Sequence, residues 1–391
     1  MGFVRNWGRL GMRYDTVKLG DISWINAESY SSKENWTFVN YLDTGNITAN
    51  MVSEIQHIKI GEEKLPSRAK RKVKYNSIIY STVRPNQKHY GIIKEQPDNF
   101  LVSTGFAVID IDTDKASADY VYFVLTQENV IEYLHAIAEQ STSAYPSIKP
   151  SDLENIEIPL PSLEYQKRIA SILVMLNRKI DINTRINDNL AEQMAIIFIK
   201  ARDSSVWSEQ KIENIMCFYD HMRKPLSSRQ RDGMEHNYPY YGATSIVDYV
   251  EDYIFDGTYI LISEDGANVV DKVGHPLIQY AYGKFWMNNH AHIVQGIRGF
   301  SEALLFALLK TLNIQSIVTG AAQPKVNQAN LRNFMTFLPK PDEAEQLSAV
   351  LEPFFNQMIE NDKANALLTE LRDTLLPKLM SGELDISNLD F

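Results

Sequence analysis

The stretch that most constrains the fold is RIASILVMLNRKIDINTRINDNLAEQMAII, residues 168–197. Its apolar side chains recur in alternating steps of three and four, which is the a/d register of a coiled coil. Two of the inward positions are asparagine. Because a buried amide costs free energy unless it is hydrogen-bonded, this helix needs a partner that supplies those bonds. The inward positions are Ile169, Leu173, Leu176, Ile180, Asn183, Asn187, Leu190, Met194 and Ile197.

A second copy of this pattern lies 178 residues further along the chain. Without a gap, residues 146–200 and 324–378 share eleven identities, most of them at inward positions or in the Pro-flanked segment before the helix. Both asparagines recur. An internal repeat of this kind predicts two copies of one structural unit. The second set of inward positions is Leu347, Leu351, Phe354, Met358, Asn361, Asn365, Leu368, Arg372 and Leu375.

Two helices with matching patterns can bury these positions against each other within one chain. If the helices run antiparallel, the two asparagines of each lie beside those of the other, and their amides can bond reciprocally. A polar residue in an apolar seam fixes the register at some cost in stability. The alternative is that the asparagines face solvent on a straight helix that drifts out of register. Pro353 is expected to kink or restart the second helix, whose regular part would then begin near Phe354.

The regions that precede the two helices share one pattern. Each contains short β-type runs, such as NSIIYSTVRP and FLVSTGFAVIDID in the first and TYILISEDGAN and KFWMNNHAHIVQG in the second. Each then passes through a short helical segment into the long helix. A chain of 391 residues favours two or three domains over a single core. The sequence therefore predicts that the order sheet-rich domain, short helix, loop and long helix occurs twice.

The net charge of −10 argues mildly against a nucleic-acid partner, but the distribution of charge matters more than the sum. Two segments are strongly basic, KLPSRAKRKVKY at 64–75 and HMRKPLSSRQR at 221–231. A solvated loop explains either one alone, whereas two clusters in equivalent halves favour a polyanion. The single cysteine, Cys217, excludes an internal disulfide framework. Without a leader or a bilayer-length apolar run, the protein is expected to be soluble and cytoplasmic.

Motifs for catalysis are absent from the sequence. It has no GxxxxGK(S/T) phosphate loop, no GxGxxG and no Asn/Asp-Pro-Pro-aromatic methyltransferase motif, and its histidines form no zinc pattern. His290 and His292 suggest a metal or acid/base pair, but a polar or DNA-facing strand is the favoured interpretation. Asp265 beside Gly266 is interpreted as a turn residue. We therefore expect no catalytic residues, no metal and no cofactor.

Two segments resemble the conserved regions of the specificity subunits of type I restriction-modification systems. They are YPSIKPSDLENIEIPLPSLEYQKRIASILVMLNRKIDINTRIND and QPKVNQANLRNFMTFLPKPDEAEQLSAVLEPFF. The segments STVRPNQKHYGII, FLVSTGFAVI and YGATSIVDYVEDYIFDGTYILISEDGAN look like parts of target recognition domains in that family. The resemblance covers essentially the whole chain, including the repeat.

The resemblance implies a non-catalytic DNA specificity subunit. Each of two target recognition domains would read one half of a bipartite, asymmetric site. The long helices would set the gap between the half-sites and dock methyltransferase subunits, two of them expected, and restriction subunits would join through the assembled complex. The implied fold is α+β: two mixed α/β recognition domains separated by two long antiparallel coiled-coil helices, with a pseudo-two-fold internal repeat. The expected boundaries are recognition domains at 1–160 and 206–340, a spacer helix at 161–205, and a second spacer helix with the C-terminal tail at 341–391.

Candidate DNA contacts follow from side-chain chemistry. Lysine and arginine bind phosphates, whereas Arg, Asn and Gln can bond base edges in pairs. The alternatives are a polar hairpin for the loop around Arg84 and, favoured for Tyr240 and Tyr241, packing in the core. The candidates in the first domain are Lys70, Arg71, Lys72, Arg84, Asn86, Lys88 and His89. Those in the second are Arg223, Lys224, Arg229, Tyr241, Asn268 and Lys272.

A competing hypothesis is a non-catalytic scaffold in which two β-rich domains on a coiled coil bind protein or peptide. The acidic net charge favours it. A salt-dependent, sequence-selective gel shift with the methyltransferase partner distinguishes the two hypotheses, because a scaffold should show none.

Overall fold

The chain divides into two units, residues 1–179 with 367–391 and residues 180–366. The computed structural model describes residues 14–141, 145–320, 322–384 and 386. The N-terminal segment 1–13, on which the expectation of no leader rests, lies outside these residues, as does most of the acidic C-terminal tail. None of the described helices combines the length and the apolar composition that crossing a membrane requires.

The first unit contains two four-stranded sheets and two short two-stranded ones. The strands are β1 (Thr16–Lys18), β2 (Ser23–Ile25), β3 (Phe38–Leu42), β4 (Ile47–Thr48), β5 (Met51–Val52), β6 (Gln56–Lys59), β7 (Ala69–Lys72), β8 (Ile78–Ser81), β9 (Tyr90–Ile92), β10 (Phe100–Ser103), β11 (Phe106–Ile111) and β12 (Glu157–Pro159). The four-stranded sheets have the orders β6-β3-β10-β7 and β2-β11-β8-β9, and β1 pairs with β12. Apolar side chains of β8, β10 and β11 pack together in one core cluster.

The second unit repeats this strand order. Its strands are β13 (Ser208–Lys211), β14 (Met216–Phe218), β15 (Tyr238–Tyr241), β16 (Ile246–Val250), β17 (Phe255–Asp256), β18 (Tyr259–Ser263), β19 (Ile278–Ala281), β20 (Lys284–Met287), β21 (Ala291–Gly296) and β22 (Met335–Leu338). The sheets are β16-β15-β20-β17, β14-β21-β18-β19 and β13-β22. In both units one pair of strands is parallel, β3 with β10 and β15 with β20. The repeat found in the sequence therefore extends into the sheets.

Short helices complete each unit. They are α1 (Ala118–Leu125), α2 (Glu128–Glu139) and α3 (Pro150–Glu154) in the first, and α5 (Ser228–Arg231), α6 (Glu302–Leu309) and α7 (Gln328–Arg332) in the second. The helices α1 and α6 are apolar on almost every side and buried, as expected of helices inside a core. A serine caps the N-terminus of each, Ser117 for Tyr120 N–H and Ser301 for Leu304 N–H.

The two long helices are α4 (Leu163–Ser204) and α8 (Pro341–Ser381). At 42 and 41 residues, each is about 60 Å long at 1.5 Å per residue. Within the second unit they run antiparallel, because Asn183 bonds Asn365 while the later Asn187 bonds the earlier Asn361. The antiparallel coiled coil predicted from the heptads is confirmed.

Four asparagines of the second unit form an amide layer, defined here as Asn183, Asn187, Asn361 and Asn365, of which the first three are buried and Asn365 is half-buried. Asn183 Nδ2 donates to Asn365 Oδ1 at 2.8 Å, and Asn361 Nδ2 donates to Asn187 Oδ1 at 2.8 Å. The two bonds are equivalent in the internal repeat, because the offset of 178 residues relates Asn183 to Asn361 and Asn187 to Asn365. Asn183 is 2% exposed and Asn187 8%, so the alternative in which they face solvent is wrong.

The structure contradicts the expected break at Pro353. The second helix begins at Pro341 and continues through Pro353. A proline inside a helix leaves the carbonyl four residues earlier without its N–H donor. Both Pro353 and that residue, Ala349, are exposed, so water can bond the freed carbonyl and the helix need not end.

In the first unit the helix pair uses a different polar contact. Arg372 occupies an inward position of α8, where its Nη1 donates to Asn177 Oδ1 at 3.0 Å. Further along, Tyr165 Oη donates to the carbonyl of Leu384 at 3.2 Å. The order of these contacts shows that the helices also run antiparallel here. The irregular arginine in the second heptad copy therefore has a partner on α4.

A carboxyl group joins the amide layer to the sheet of the second unit. Asp362 accepts hydrogen bonds from Asn187 Nδ2, at 2.8 Å, and from the hydroxyl of Tyr280 on β19. Burial disfavours the charged carboxylate more than these two bonds favour it, so the pKa of Asp362 is raised above its usual value. The position equivalent in the repeat is Thr184, so this carboxyl occurs in one copy only.

Replacing Asp362 with asparagine is expected to stabilise the protein at neutral pH. A raised pKa means that the folded state holds the proton more tightly than the unfolded chain, so the parent loses stability as pH rises through the folded pKa. An amide keeps the bond to Asn187 and lets the Tyr280 hydroxyl act as acceptor. Urea unfolding across the acidic to neutral range should show the advantage of Asp362→Asn growing with pH. Asp188→Asn, exposed on α4, is the control; equal pH profiles for Asp362→Asn and the parent would contradict the assignment.

Candidate nucleic-acid interface

The basic cluster of the first unit lies on β7, an edge strand of its sheet. Lys70 is exposed, while Arg71 and Lys72 are half-buried. Lys72 forms an ion pair with Glu34 and lies 5.3 Å above the ring of Trp36. The buried Nε of Arg71 has no hydrogen-bond partner within the described part of the chain. Lys70 is therefore the most accessible of the three cations.

The loop between β8 and β9 carries the candidate base readers of the first unit. Arg84 and Asn86 are exposed, and the guanidinium of Arg84 lies 5.4 Å from the ring of Tyr145. Lys88 pairs with Glu128 at 2.7 Å, and His89 Nδ1 lies 2.6 Å from the carbonyl oxygen of Ile47. The loop thus presents Arg84 and Asn86 outward and ties the other two candidates to its own unit.

Two residues of this loop adopt a backbone conformation that side chains other than glycine rarely take. Arg84 has φ 47° and Lys88 φ 57°. Such strain persists only where the surrounding structure enforces it, and it clusters at functional sites. Here the N–H of Arg84 donates to the carbonyl of Pro146 at 2.9 Å. Nothing in the loop sequence signalled this conformation.

The basic segment of the second unit, residues 221–231, divides by exposure. Lys224 and Arg229 are exposed. Arg231 pairs with Asp248 at 2.6 Å and lies 4.9 Å from the ring of Tyr240. The side chain of Arg223 is only 15% exposed. Arg223, a candidate DNA contact, is directed into the unit.

Tyr241 also lies inside the second unit. It is 6% exposed, and its ring stacks edge-on against Phe285 with centroids 5.4 Å apart. Burial raises the pKa of its hydroxyl. Tyr241 therefore packs in the core of the unit, and its side chain is not available to a DNA base.

The loop after β18, residues 264–272, carries the remaining candidates. Asn268 and Lys272 are exposed, and Gly266 takes φ 147°, which other residues avoid. Asp265, interpreted from the sequence as a turn residue, bonds His290 Nδ1 at 2.6 Å and forms an isolated β-bridge with Lys325. His290 is exposed whereas His292 is 0% exposed, so the two histidines do not form the pair that their spacing suggested.

A buried polar network, defined here as Asp220, Arg223, Glu264 and His292, lies beneath these loops. Arg223 Nη1 is 2.6 Å from Glu264 Oε2, and His292 Nδ1 is 2.6 Å from Asp220 Oδ2. The network lines one wall of a cleft of about 390 Å³, together with Phe218, His221, Gln328 and Arg332. Asp220 and Glu264 were not among the sequence candidates, because neither belongs to a motif and the four residues are far apart in the chain.

Three members of the network, Asp220, Glu264 and His292, place potential metal ligands within 4.8 Å of one another. Two cations already pair with Glu264. They are Arg223 and Lys325, and the Nζ of Lys325 is 3.1 Å from Glu264 Oε1. A divalent ion would have to displace these charges. The arrangement is that of an internal ion-pair network.

Both ring nitrogens of His292 have hydrogen-bond partners. Its Nδ1 faces Asp220, and its Nε2 is 2.8 Å from the carbonyl oxygen of Val326. Burial opposes ionisation of Asp220, but the hydrogen bond and the charge of His292, with the N–H of Ile293 at 3.0 Å, hold the pKa of Asp220 below its usual value. Asp220 is therefore a carboxylate acceptor.

Comparisons with known proteins agree on one family. A family model described as the type I restriction modification DNA specificity domain matches residues 13–192 and 205–369. The type I restriction enzyme HindI specificity subunit of Haemophilus influenzae is 31% identical over 184 residues, which cover 47% of this chain and 39% of that protein. This chain therefore spans well under half the length of that relative.

Two further relatives match nearly end to end. The type I restriction enzyme MjaIX specificity subunit of Methanocaldococcus jannaschii is 22% identical over 422 residues, covering 98% of this chain and 96% of that protein. The second is known from a crystal structure, that of a type I restriction-modification system S subunit from M. genitalium. Its sequence is 16% identical to this chain, the superposition covers 94% of this chain and 96% of that one, and the TM-score is 0.52. The structural match supports the fold.

Proposed function

The chain belongs to the type I restriction-modification DNA specificity family, and from this premise we propose that it gives such a complex its sequence specificity. The observation that carries the proposal is duplication. The family domain matches twice, and the two units share one strand order. Each copy would read one half of a bipartite, asymmetric DNA site. The chain itself would be non-catalytic and would act in the cytoplasm.

The proposed organisation keeps the boundaries expected from the sequence: recognition domains at 1–160 and 206–340, and spacer helices at 161–205 and within 341–391. The helices would set the gap between the half-sites. Exposed candidates are the proposed DNA contacts, namely Lys70, Arg84, Asn86, Lys224, Arg229, Asn268 and Lys272, all of which face outward. Arg71, Lys72, Lys88 and His89 would support them from half-buried positions.

The proposed protein partners are methyltransferase subunits, two per chain, with restriction subunits joining the assembled complex. The long helices offer a surface for docking. On α4, Ile182 and Ile186 are each 40% exposed and Ile196 is 50% exposed, although the inward positions are already filled. Apolar side chains exposed along one stripe mark an interaction site. We assign this stripe to a methyltransferase subunit because it lies on a helix whose inward positions are already filled, so that α8 does not cover it.

A gel shift tests the proposed function against a protein-binding scaffold. The chain with its methyltransferase partner should shift cognate duplex in preference to random duplex, and the affinity should fall steeply as salt rises, since phosphate contacts release counterions. Equal and weak binding to all duplexes at low salt would support the scaffold instead.

Two substitutions in the first unit should have different effects on DNA binding. Arg84→Ala should weaken cognate binding by about 1–3 kcal/mol and relax specificity in one half-site, as the loss of a bidentate base contact does. Lys70→Ala should weaken binding to all sequences alike and make the salt dependence shallower. Titrations of cognate, half-site-altered and random duplexes at several salt concentrations separate the two. If both variants bind all three duplexes like the parent, the first-unit assignment is wrong.

A further inference from the structure

We propose that the buried polar network of Asp220, Arg223, Glu264 and His292 positions the DNA-reading surface of the second unit without touching DNA. The inference rests on the proposed function and names the residues that hold that surface in place. In this account Arg223 and His292 are positioning residues. The surface they hold consists of the basic segment 221–231 and the loop 264–272.

Arg223 joins the basic segment to the loop. Its guanidinium donates to Glu264 Oε2, at 2.6 Å, and to the carbonyl of Ala291, at 2.8 Å, while its Nε donates to the carbonyl of Asp220, at 3.1 Å. One side chain therefore fixes the start of the basic segment, the start of the loop and the start of β21. Charge-assisted bonds of this kind are short and directional, so the three segments share one geometry.

His292 joins the same surface to the chain that precedes α7. One ring nitrogen bonds the carboxyl of Asp220 and the other bonds the carbonyl of Val326. Asp220 also accepts from Gln328 Nε2, at 2.7 Å, and Lys325 bonds Glu264. Because His292 is fully buried, these bonds form without competition from water.

The first unit has the same strands but lacks the network. When the strands of the two units are matched by their pairing registers, Glu264 of the second unit corresponds to Thr82 of the first, His292 to Ala107 and Asp220 to Ala27. In the second unit, Asp220 accepts a hydrogen bond from the N–H of Ile293. At the equivalent place in the first unit, the neutral side chain of Asn26 accepts a hydrogen bond from the N–H of Val108, at 3.0 Å. The fold therefore does not require these four residues. Their occurrence in one unit indicates a task particular to its loops.

Base reading is sensitive to such support, because a recognition side chain must be held within about 0.5 Å of its productive position. The network groups already bond one another, Arg223 with Glu264 and His292 with Asp220, so the inference assigns them no phosphate contact. Weakening the network should therefore lower discrimination in the second half-site and leave the first half-site, and the number of phosphate contacts, unchanged.

Glu264→Gln tests this inference. The substitution keeps the shape of the side chain and removes a negative charge, so electrostatics alone would tighten binding to every sequence. The test uses the full chain with its methyltransferase partner and four duplexes: cognate, altered in the first half-site, altered in the second half-site, and random. We expect the ratio of cognate to second-half-altered affinity to fall about tenfold, and the first-half ratio to stay within about twofold, since one mismatched base pair is worth about 1–3 kcal/mol.

Arg223→Lys and Arg229→Gln complete the design. Arg223→Lys keeps the charge but loses the forked geometry, and should act like Glu264→Gln with an unchanged salt slope. Arg229→Gln, at an exposed position, should weaken all four duplexes and make the salt slope shallower. Thermal unfolding checks that each variant is folded. If Glu264→Gln does not fold, Arg223→Lys provides the test.

The outcomes separate the inference from the proposed function. A folded Glu264→Gln or Arg223→Lys variant that keeps the parent's second-half discrimination overturns the inference while the proposed function stands. A uniform loss across both half-sites also overturns it, because the network would then act as general stabilisation. A parent complex that does not distinguish cognate from random DNA removes the proposed function, and the inference falls with it.

Discussion

Asn187→Ala is expected to lower the free energy of unfolding of the second unit by about 3 kcal/mol. Asn187 accepts from Asn361 Nδ2 and donates to the carbonyl of Met358, at 3.1 Å, and to Asp362 Oδ1. Truncation removes all three bonds and leaves an amide and a carboxyl buried with fewer partners, which costs their desolvation. Urea unfolding followed by circular dichroism measures the change.

Asn189→Ala is the matched control, because Asn189 lies two residues further along the same helix and is exposed. It should change the free energy of unfolding by less than about 0.5 kcal/mol. The double variant Asn187→Leu with Asn361→Leu should regain much of the lost stability, since replacing both partners with apolar groups is nearly neutral. Equal effects for Asn187→Ala and Asn189→Ala would show that the amide layer contributes nothing.

Phe355→Ala is expected to destabilise the second unit by about 4 kcal/mol. Phe355 is 3% exposed, and its ring lies 5.1 Å from that of Tyr280 and 5.6 Å from that of Phe306. It therefore attaches α8 to the sheet and to α6, and truncation leaves a cavity between them. Thermal and urea unfolding of the purified chain measure the loss.

The neighbouring Phe354→Ala provides the comparison. Phe354 was assigned to the seam from the sequence, but it is only half-buried. Its truncation should cost about half as much as that of Phe355, since less apolar surface returns to water. A larger loss at Phe354 than at Phe355 would favour the seam as the sequence defined it over the packing in the structure.

The difference between these two residues shows what periodicity can predict. Heptad spacing located the helices and their pairing, because a/d positions depend on local geometry alone. It did not find Phe355, because α8 packs against the sheet as well as against α4, which widens its buried face. It also placed the start of the regular helix near Phe354, after Pro353, whereas the helix begins at Pro341, because only the exposure of the surrounding turn decides whether a helix continues through a proline.

The candidate interface was less predictable than the helices. Residue chemistry selected basic and amide side chains in loops, and many of them are exposed. It also selected Arg223 and Tyr241, which lie inside the second unit. The burial of both has one cause: the partners that bury these side chains, Glu264 and Phe285, are distant in sequence, and no pattern along the chain marks such pairs.

The measurement that tests the central claim most directly is a genome-wide map of methylated adenines in cells that contain the methyltransferase partner, with and without this gene. The account predicts a split motif, two defined half-sites at a constant gap, that is modified only when the gene is present. Replacing residues 206–340 with the corresponding region of a relative should change one half-site and keep the other. Identical maps with and without the gene, or a single undivided motif, would contradict the account.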